Sequence, residues 1–215
     1  MNRQESLELI RETGVVAIMR AQSSEQLLRA ADAIRDGGVR AIEVTMTTPG
    51  ALSVIEQAVS RYGESVLFGA GTVLDAESAR AAILAGSQFI VSPTFKIGLV
   101  ETCRRYSIPV MPGAYTPTEA LTAWEHGADW VKIFPAKTGG PALIKAIKAP
   151  LPQLDLVPVG GVGPANIADY IRAGASAVGV GSALISQAVL DAGDFGELTE
   201  RARRLIEEVA RGRAG

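Results

Sequence analysis

Apolar and polar positions along the chain follow two rhythms in turn. Short apolar runs rich in Val and Ile are each followed by a longer stretch with helical periodicity. GVVAIMR (14–20) precedes SSEQLLRAADAIRDGG, AIEVTM (41–46) precedes TPGALSVIEQAVSRYG, VLFGAGT (66–72) precedes DAESARAAILAG, and FIVSP (89–93) precedes KIGLVETCRRYS. The second half repeats the scheme. PVMPGA (109–114) leads into TPTEALTAWEHG, WVKIFP (130–135) into GPALIKAIKAPLP, LVPVGG (156–161) into GPANIADYIRAG, and AVGVGS (177–182) into ALISQAVLDAG and DFGELTERARRLIEEVARGR. Capping residues or proline open the helical stretches and glycine closes most of them. Apolar strands separated by helices are expected to run parallel.

Eight such units in 215 residues predict one domain, 1–215, folded as a (β/α)8 TIM barrel. The segment before the first strand is an extra N-terminal helix that closes the barrel's N-terminal end. A doubly wound open sheet accounts less well for eight regular units and leaves edge strands to protect. The tail from Arg211 to Gly215 is expected to be disordered. In a barrel, catalytic side chains stand at the C-terminal ends of the strands, so candidate chemistry is sought there.

Strand parity then picks out Lys132. In WVKIFP, Val131 and Ile133 form the helix-facing row, while Trp130, Lys132 and Phe134 point into the barrel. Desolvation favours the neutral amine, a nucleophile that attacks carbonyl carbon to form a Schiff base. The bland alternative is a lysine that snorkels to the rim or pairs with a carboxylate. In AIEVTMT the inward row is Ala41, Glu43, Thr45 and Thr47, which places a second charged group in the same interior. Glu43 is either an ion-pair partner of Lys132 or a proton shuttle. Thr72 ends the third strand and offers a hydroxyl to a substrate carboxylate. Arg20 ends the first and offers an anion-binding fork, unless it is a surface residue just past the strand. The glycine-rich turns VGGVGPAN (159–166) and GVGSAL (179–184) follow the last two strands, and each is expected to open a helix. Such turns present backbone N–H groups to a phosphate, with Gly160, Gly161 and Ser182 as candidates.

Composition narrows the classes. Hydrophobic residues make up 47% and charged residues 20%, enough for a sizeable core, and a formal net charge of −2 gives no reason to expect nucleic acid or an acidic membrane as partner. The N-terminal stretch lacks the apolar run of a signal peptide, and no stretch approaches the ~20 apolar residues of a membrane span. A single cysteine, Cys103, rules out an internal disulfide, so a cytoplasmic protein is expected. With one histidine, His126, besides that cysteine, a transition-metal site would have to lean on carboxylates, and neither metal nor other cofactor is expected.

Several long motifs, in order, resemble one family: GGVRAIEVTMTTPGA, GAGTVLDAE, FIVSP, MPGAYTPTE, VKIFPAKTGGPALIKAIKAPLP and VPVGGVGPANIADYI. Together they make the chain similar to the 2-keto-3-deoxy-6-phosphogluconate (KDPG) aldolases, which overlap with the 4-hydroxy-2-oxoglutarate (KHG) aldolases. The resemblance runs from about Gly14 to Leu184. It implies a metal-independent aldolase that forms a Schiff base with pyruvate and assembles as a homotrimer. By matched position it makes Lys132 the Schiff-base lysine and Glu43 the general acid/base. Thr72 would bind the pyruvyl carboxylate, Pro93 would border its pocket, and Gly160, Gly161 and Ser182 would hold a phosphate. One departure concerns the carboxylate contact: some relatives carry an arginine where this chain has Thr47, and those tend to lack one at the end of the first strand, where this chain has Arg20. The rival readings are a 2-keto-3-deoxy-6-phosphogalactonate aldolase, a sugar-phosphate isomerase or epimerase with Lys132 as a base, a metal-dependent aldolase, and a non-catalytic binder of phosphorylated metabolites.

Overall fold

The computed structural model describes residues 1–20 and 23–215. In chain order the elements are α1 (Arg3–Thr13), β1 (Val15–Met19), α2 (Ser24–Asp36), β2 (Ala41–Thr45), α3 (Ala51–Tyr62), β3 (Leu67–Gly71), α4 (Ala76–Leu84), β4 (Ile90–Val91) and α5 (Ile97–Arg105). There follow β5 (Val110–Met111), β6 (Gly113–Ala114), α6 (Pro117–Glu125), β7 (Val131–Ile133), a 3-10 turn (Ala136–Thr138), α7 (Gly140–Lys148), β8 (Leu156–Pro158), α8 (Ile167–Arg172), β9 (Val178–Val180), α9 (Gln187–Ala192) and α10 (Phe195–Arg213). This is an α/β fold whose strands all pair in parallel, as their separation by helices requires.

The strands form a curled six-stranded sheet, ordered β5-β4-β3-β2-β1-β9, and a three-stranded sheet, β6-β7-β8. β5 and β6 are two halves of the single run expected at 109–114, interrupted at Pro112. The Pro112 carbonyl accepts the Lys132 N–H at 2.9 Å, but proline has no N–H to return to that side of the ladder. The run therefore pairs with β4 through its first half and with β7 through its second. Beyond β8, Val159 bridges in parallel to Gly179, and the Ser176 N–H donates to the Leu156 carbonyl at 2.9 Å.

Strand parity sorts the side chains into two apolar layers. Val15, Ala17, Met19, Ile42, Val44, Phe68, Ala70, Val131, Ile133, Val178 and Val180 pack outward with helix residues such as Leu27, Ile34, Ile55 and Leu205. Val16, Ile18, Ala41, Leu67, Phe89, Met111, Trp130, Val157 and Ala177 pack inward. Leu7, Leu9 and Ile10 of α1 join the inward cluster, so this helix caps the N-terminal end of the strands as expected. Its start is fixed by a capping box, with Asn2 accepting from the Glu5 N–H and Glu5 accepting from the Asn2 N–H.

Two expectations need correction. α3 and α5 start without a side-chain cap, after Gly50 and Lys96. The C-terminal tail is not a loose end from Arg211: α10 continues to Arg213. The guanidinium of Arg213 donates to the carbonyls of Glu12, at 2.7 Å, and Arg11, the last turn of α1. A cation placed on orphan helix carbonyls ties the two chain ends together.

Candidate active site

A cavity of about 350 Å³ opens at the C-terminal ends of the strands. Ile18, Arg20, Glu43, Thr72, Pro93, Lys132, Phe134, Val159, Gly160, Gly161, Val162, Gly179, Gly181 and Ser182 line it. Every candidate named from the sequence is among them except Thr47. Thr47 is exposed, and its hydroxyl lies 3.0 Å from that of Thr45.

Lys132 stands mid-strand on β7, facing inward beside Val157, and is only 5% exposed. Its ammonium lies 5.2 Å from the centroid of the Phe134 ring, within cation–π range. Glu43 stands on β2, level with Ile18 of β1 and Gly69 of β3, and is 2% exposed. Among the described residues Lys132 appears in no ion pair, so the two charged groups face the same cavity without closing on each other. The Glu43 carboxyl is pushed above its ordinary range by burial, which outweighs the opposing attraction of Lys132 and then of Arg20. Such a group holds a proton more readily than a solvated glutamate, as a general acid must.

Room for that carboxylate comes from β3. The inward row of LFGAG is Leu67, Gly69 and Gly71. A Cβ on Gly71 would lie 1.7 Å from Glu43 Oε1, and one on Gly69 would lie 2.6 Å from the Phe89 ring. Alternate glycines on the inward row of a strand, beside a strand with an inward glutamate, were the signal for this space in the sequence. Thr72 follows directly with φ at +57°, a left-handed conformation that a β-branched residue rarely adopts. Pro93 lies just after β4, and its carbonyl packs so closely on Gly113 that a Cβ there would lie 2.1 Å away. Strand parity also reached Phe134, and Ile18 shares the inward face of β1 with Val16. Val162 and Gly181 were missed because they lie in turns beyond the strands, and Val159 and Gly179 because they carry no polar group, although strand parity points both inward.

Each glycine turn precedes a helix, as expected, but the helix does not begin at the cavity. Gly160 and Gly161 have φ at +93° and +78°, outside the helical region, and α8 starts only at Ile167. Asn166 shapes the intervening turn, accepting from the Gly163 N–H at 3.0 Å and donating to the Gly161 carbonyl at 2.9 Å. Ser182 likewise lies in a turn, closed by Leu184 and Ile185 N–H groups on the Gly181 carbonyl, and α9 starts at Gln187. The expected helix N-termini are thus set back from the cavity, and what borders it is turn backbone and one hydroxyl. Cys103 is fully buried on α5, its thiol pushed up to about 12 by burial, consistent with packing alone. Among the described residues no group of three or more His, Cys, Asp or Glu could hold a metal ion, and no helix is long and apolar enough to cross a membrane.

A cavity at parallel strand ends that holds a buried lysine and a buried carboxylate suits one class of protein, enzymes that act on a carbonyl through an amine. Comparison with known proteins agrees and goes further. The sequence profile of the KDPG and KHG aldolases matches residues 7–201. The chain is 40% identical over 171 residues to the 2-dehydro-3-deoxy-6-phosphogalactonate aldolase of Escherichia coli K12, covering 79% of this chain and 83% of that one. It is 33% identical over 203 residues to the 2-dehydro-3-deoxy-phosphogluconate aldolase of Pseudomonas aeruginosa, covering 94% and 92%. Among solved structures, a Legionella pneumophila KDPG aldolase, with pyruvate captured as a covalent carbinolamine, superposes with a TM-score of 0.87 at 27% identity, covering 93% of this chain and 97% of that one. The chain belongs to the KDPG and KHG aldolase family. It is an aldolase, a carbon–carbon lyase.

Proposed function

We propose that the chain cleaves 2-keto-3-deoxy-6-phosphogluconate reversibly to pyruvate and glyceraldehyde 3-phosphate, with Lys132 as Schiff-base nucleophile and Glu43 as general acid/base. The observation that carries this reading is the pair itself: two buried, oppositely charged groups facing one cavity with no ion pair between them. In a purely structural pair the attraction would be expected to close that gap.

The chemistry runs as follows. The Lys132 amine attacks the C2 ketone, and Glu43, directly or through one water, delivers the proton with which the carbinolamine hydroxyl leaves as water. The resulting iminium is the electron sink. Loss of the C4 hydroxyl proton forms the aldehyde carbonyl, the C3–C4 bond breaks, and its electron pair becomes the enamine. Protonation at C3 gives the pyruvyl iminium, and water releases pyruvate and the free lysine. Arg20 and Thr72 bind the carboxylate, Pro93 borders the pyruvyl pocket, and Gly160, Gly161 and Ser182 receive the phosphate. One (β/α)8 barrel over residues 1–215 belongs to the same proposal, supported by the bridge from Val159 to Gly179 and by the continuity of β5 into β6. So does a homotrimer, for which exposed Leu74, Ile97 and Trp124 offer uncovered apolar surface and a light-scattering mass of three chains is the test.

A second reading is the C4 epimer, 2-keto-3-deoxy-6-phosphogalactonate, favoured by the 40% identity to an aldolase of that name. Side-by-side kcat/KM values on both epimers and on 4-hydroxy-2-oxoglutarate test the choice. The gluconate reading requires the highest value on that epimer; a higher one on the galactonate epimer replaces it with the second.

A further inference from the structure

We propose that Lys137, which lies outside the cavity lining, is a specificity-determining residue that recognises the substrate's distal phosphate. The proposal rests on the aldolase reading given above and extends it.

The first observation is a charge shortage. The charged side chains lining the cavity are Arg20, Glu43 and Lys132. Lys132 has to give up its charge to act as a nucleophile, and Arg20 is needed for the carboxylate. A phosphate of about −2 charge is then left facing the turns of Gly160, Gly161 and Ser182, whose donors are neutral. A dianion held by neutral donors alone forgoes the stronger charge-assisted hydrogen bonds that a cation supplies.

The second observation is where Lys137 stands. It lies in the 3-10 turn that follows β7, five positions beyond Lys132. Its side chain packs directly on the glycine turn: a Cβ on Gly161 would lie 2.5 Å from Lys137 Cβ and 3.4 Å from its Cγ and Cδ. The backbone beneath it is held to the same turn, with Lys137 N–H on the Gly160 carbonyl at 2.9 Å and Ala136 N–H on the Val159 carbonyl at 2.8 Å. On either side, the Tyr170 hydroxyl donates to the Ala136 carbonyl at 3.2 Å, and the Thr138 hydroxyl donates to that of Pro135 at 2.8 Å. The stem is thus anchored where a phosphate on the Gly160–Gly161 turn would lie, while the ammonium is exposed and, among the described residues, has no acidic partner. A compact, mobile ammonium on a four-carbon stem can fold over the turn and meet the phosphate.

The test compares the unaltered chain with Lys137→Met, which keeps the stem and removes the charge, and with Lys137→Arg, which keeps a charge. Three readouts are taken: cleavage of the phosphorylated keto acid, cleavage of the same acid without its phosphate, and borohydride trapping of pyruvate. For Lys137→Met the KM for the phosphorylated acid should rise roughly tenfold, the weight of one charge-assisted hydrogen bond, with kcat little changed. The dephospho acid and pyruvate trapping should stay within about twofold, and Lys137→Arg should recover most of the loss. An unchanged KM, or an equal loss on both acids, overturns the role of Lys137 while trapping in the unaltered chain upholds the aldolase reading. Absence of trapping in the unaltered chain overturns both.

Discussion

At the scale of single residues, the account depends on Glu43 being an acid/base and not a mere counter-ion. Glu43→Gln is nearly isosteric, so it should fold and lose roughly 10²–10⁴-fold in kcat. Activity within a few fold would return Glu43 to a structural role. Its raised folded-state pKa adds a stability signature with a definite sign. The folded state binds the proton more tightly than the unfolded chain, so Glu43's contribution is fully present below the ordinary value of 4.5 and fades as pH rises through the raised one. The Gln variant should therefore gain in melting temperature over the parent as pH climbs from the acid side into that window. A difference that does not vary with pH would contradict the burial argument. Arg20 carries a separate prediction. It lines the cavity while Thr47 does not, so Arg20→Ala should weaken pyruvate binding and cleavage, and adding Thr47→Arg should recover part of the loss. A pyruvyl adduct whose carboxylate lies far from Arg20 would defeat this assignment. Lys132 and Glu43 were legible in the sequence because strand parity depends only on counting. Gly71 was not singled out, because its importance lies in the side chain it makes room for.

At the scale of elements, alternation of apolar runs and helical stretches gave the order and approximate limits of the strands. It did not reveal the break at Pro112, which arises because proline accepts a bond from β7 but has no N–H to donate back to it. It placed α8 and α9 within the right stretches but set their starts four residues early. Glycines at positive φ and an Asn166-built turn delay both the cavity's border and the helix that follows, and composition does not distinguish a turn from a helix start. The consequence is testable at Gly161. A valine there meets two obstacles: a φ of +78° that β-branched residues resist, and Lys137 Cβ only 2.5 Å away. Gly161→Val should raise KM for the phosphorylated acid about tenfold or more while leaving pyruvate trapping nearly intact. Loss of trapping to the same degree would show damage to the strands instead of to a phosphate turn.

At the scale of the whole molecule, helices outside and one capping helix below enclose an inward layer that is apolar at its base, from Ile10 to Trp130, and charged toward the strand ends. This gradient lets a lysine and a glutamate sit in the interior and still meet a substrate. It was readable in outline from eight repeating units, whereas the pinning of α10 to α1 through Arg213 was not, since contacts between chain ends leave no local pattern. The central claim is that Lys132 forms an imine with pyruvate. Intact mass after treatment with pyruvate and borohydride tests it most directly. The account predicts a single reduced pyruvyl adduct, mapped to Lys132 and absent from Lys132→Ala; labelling on another residue, or undiminished labelling of that variant, would contradict it.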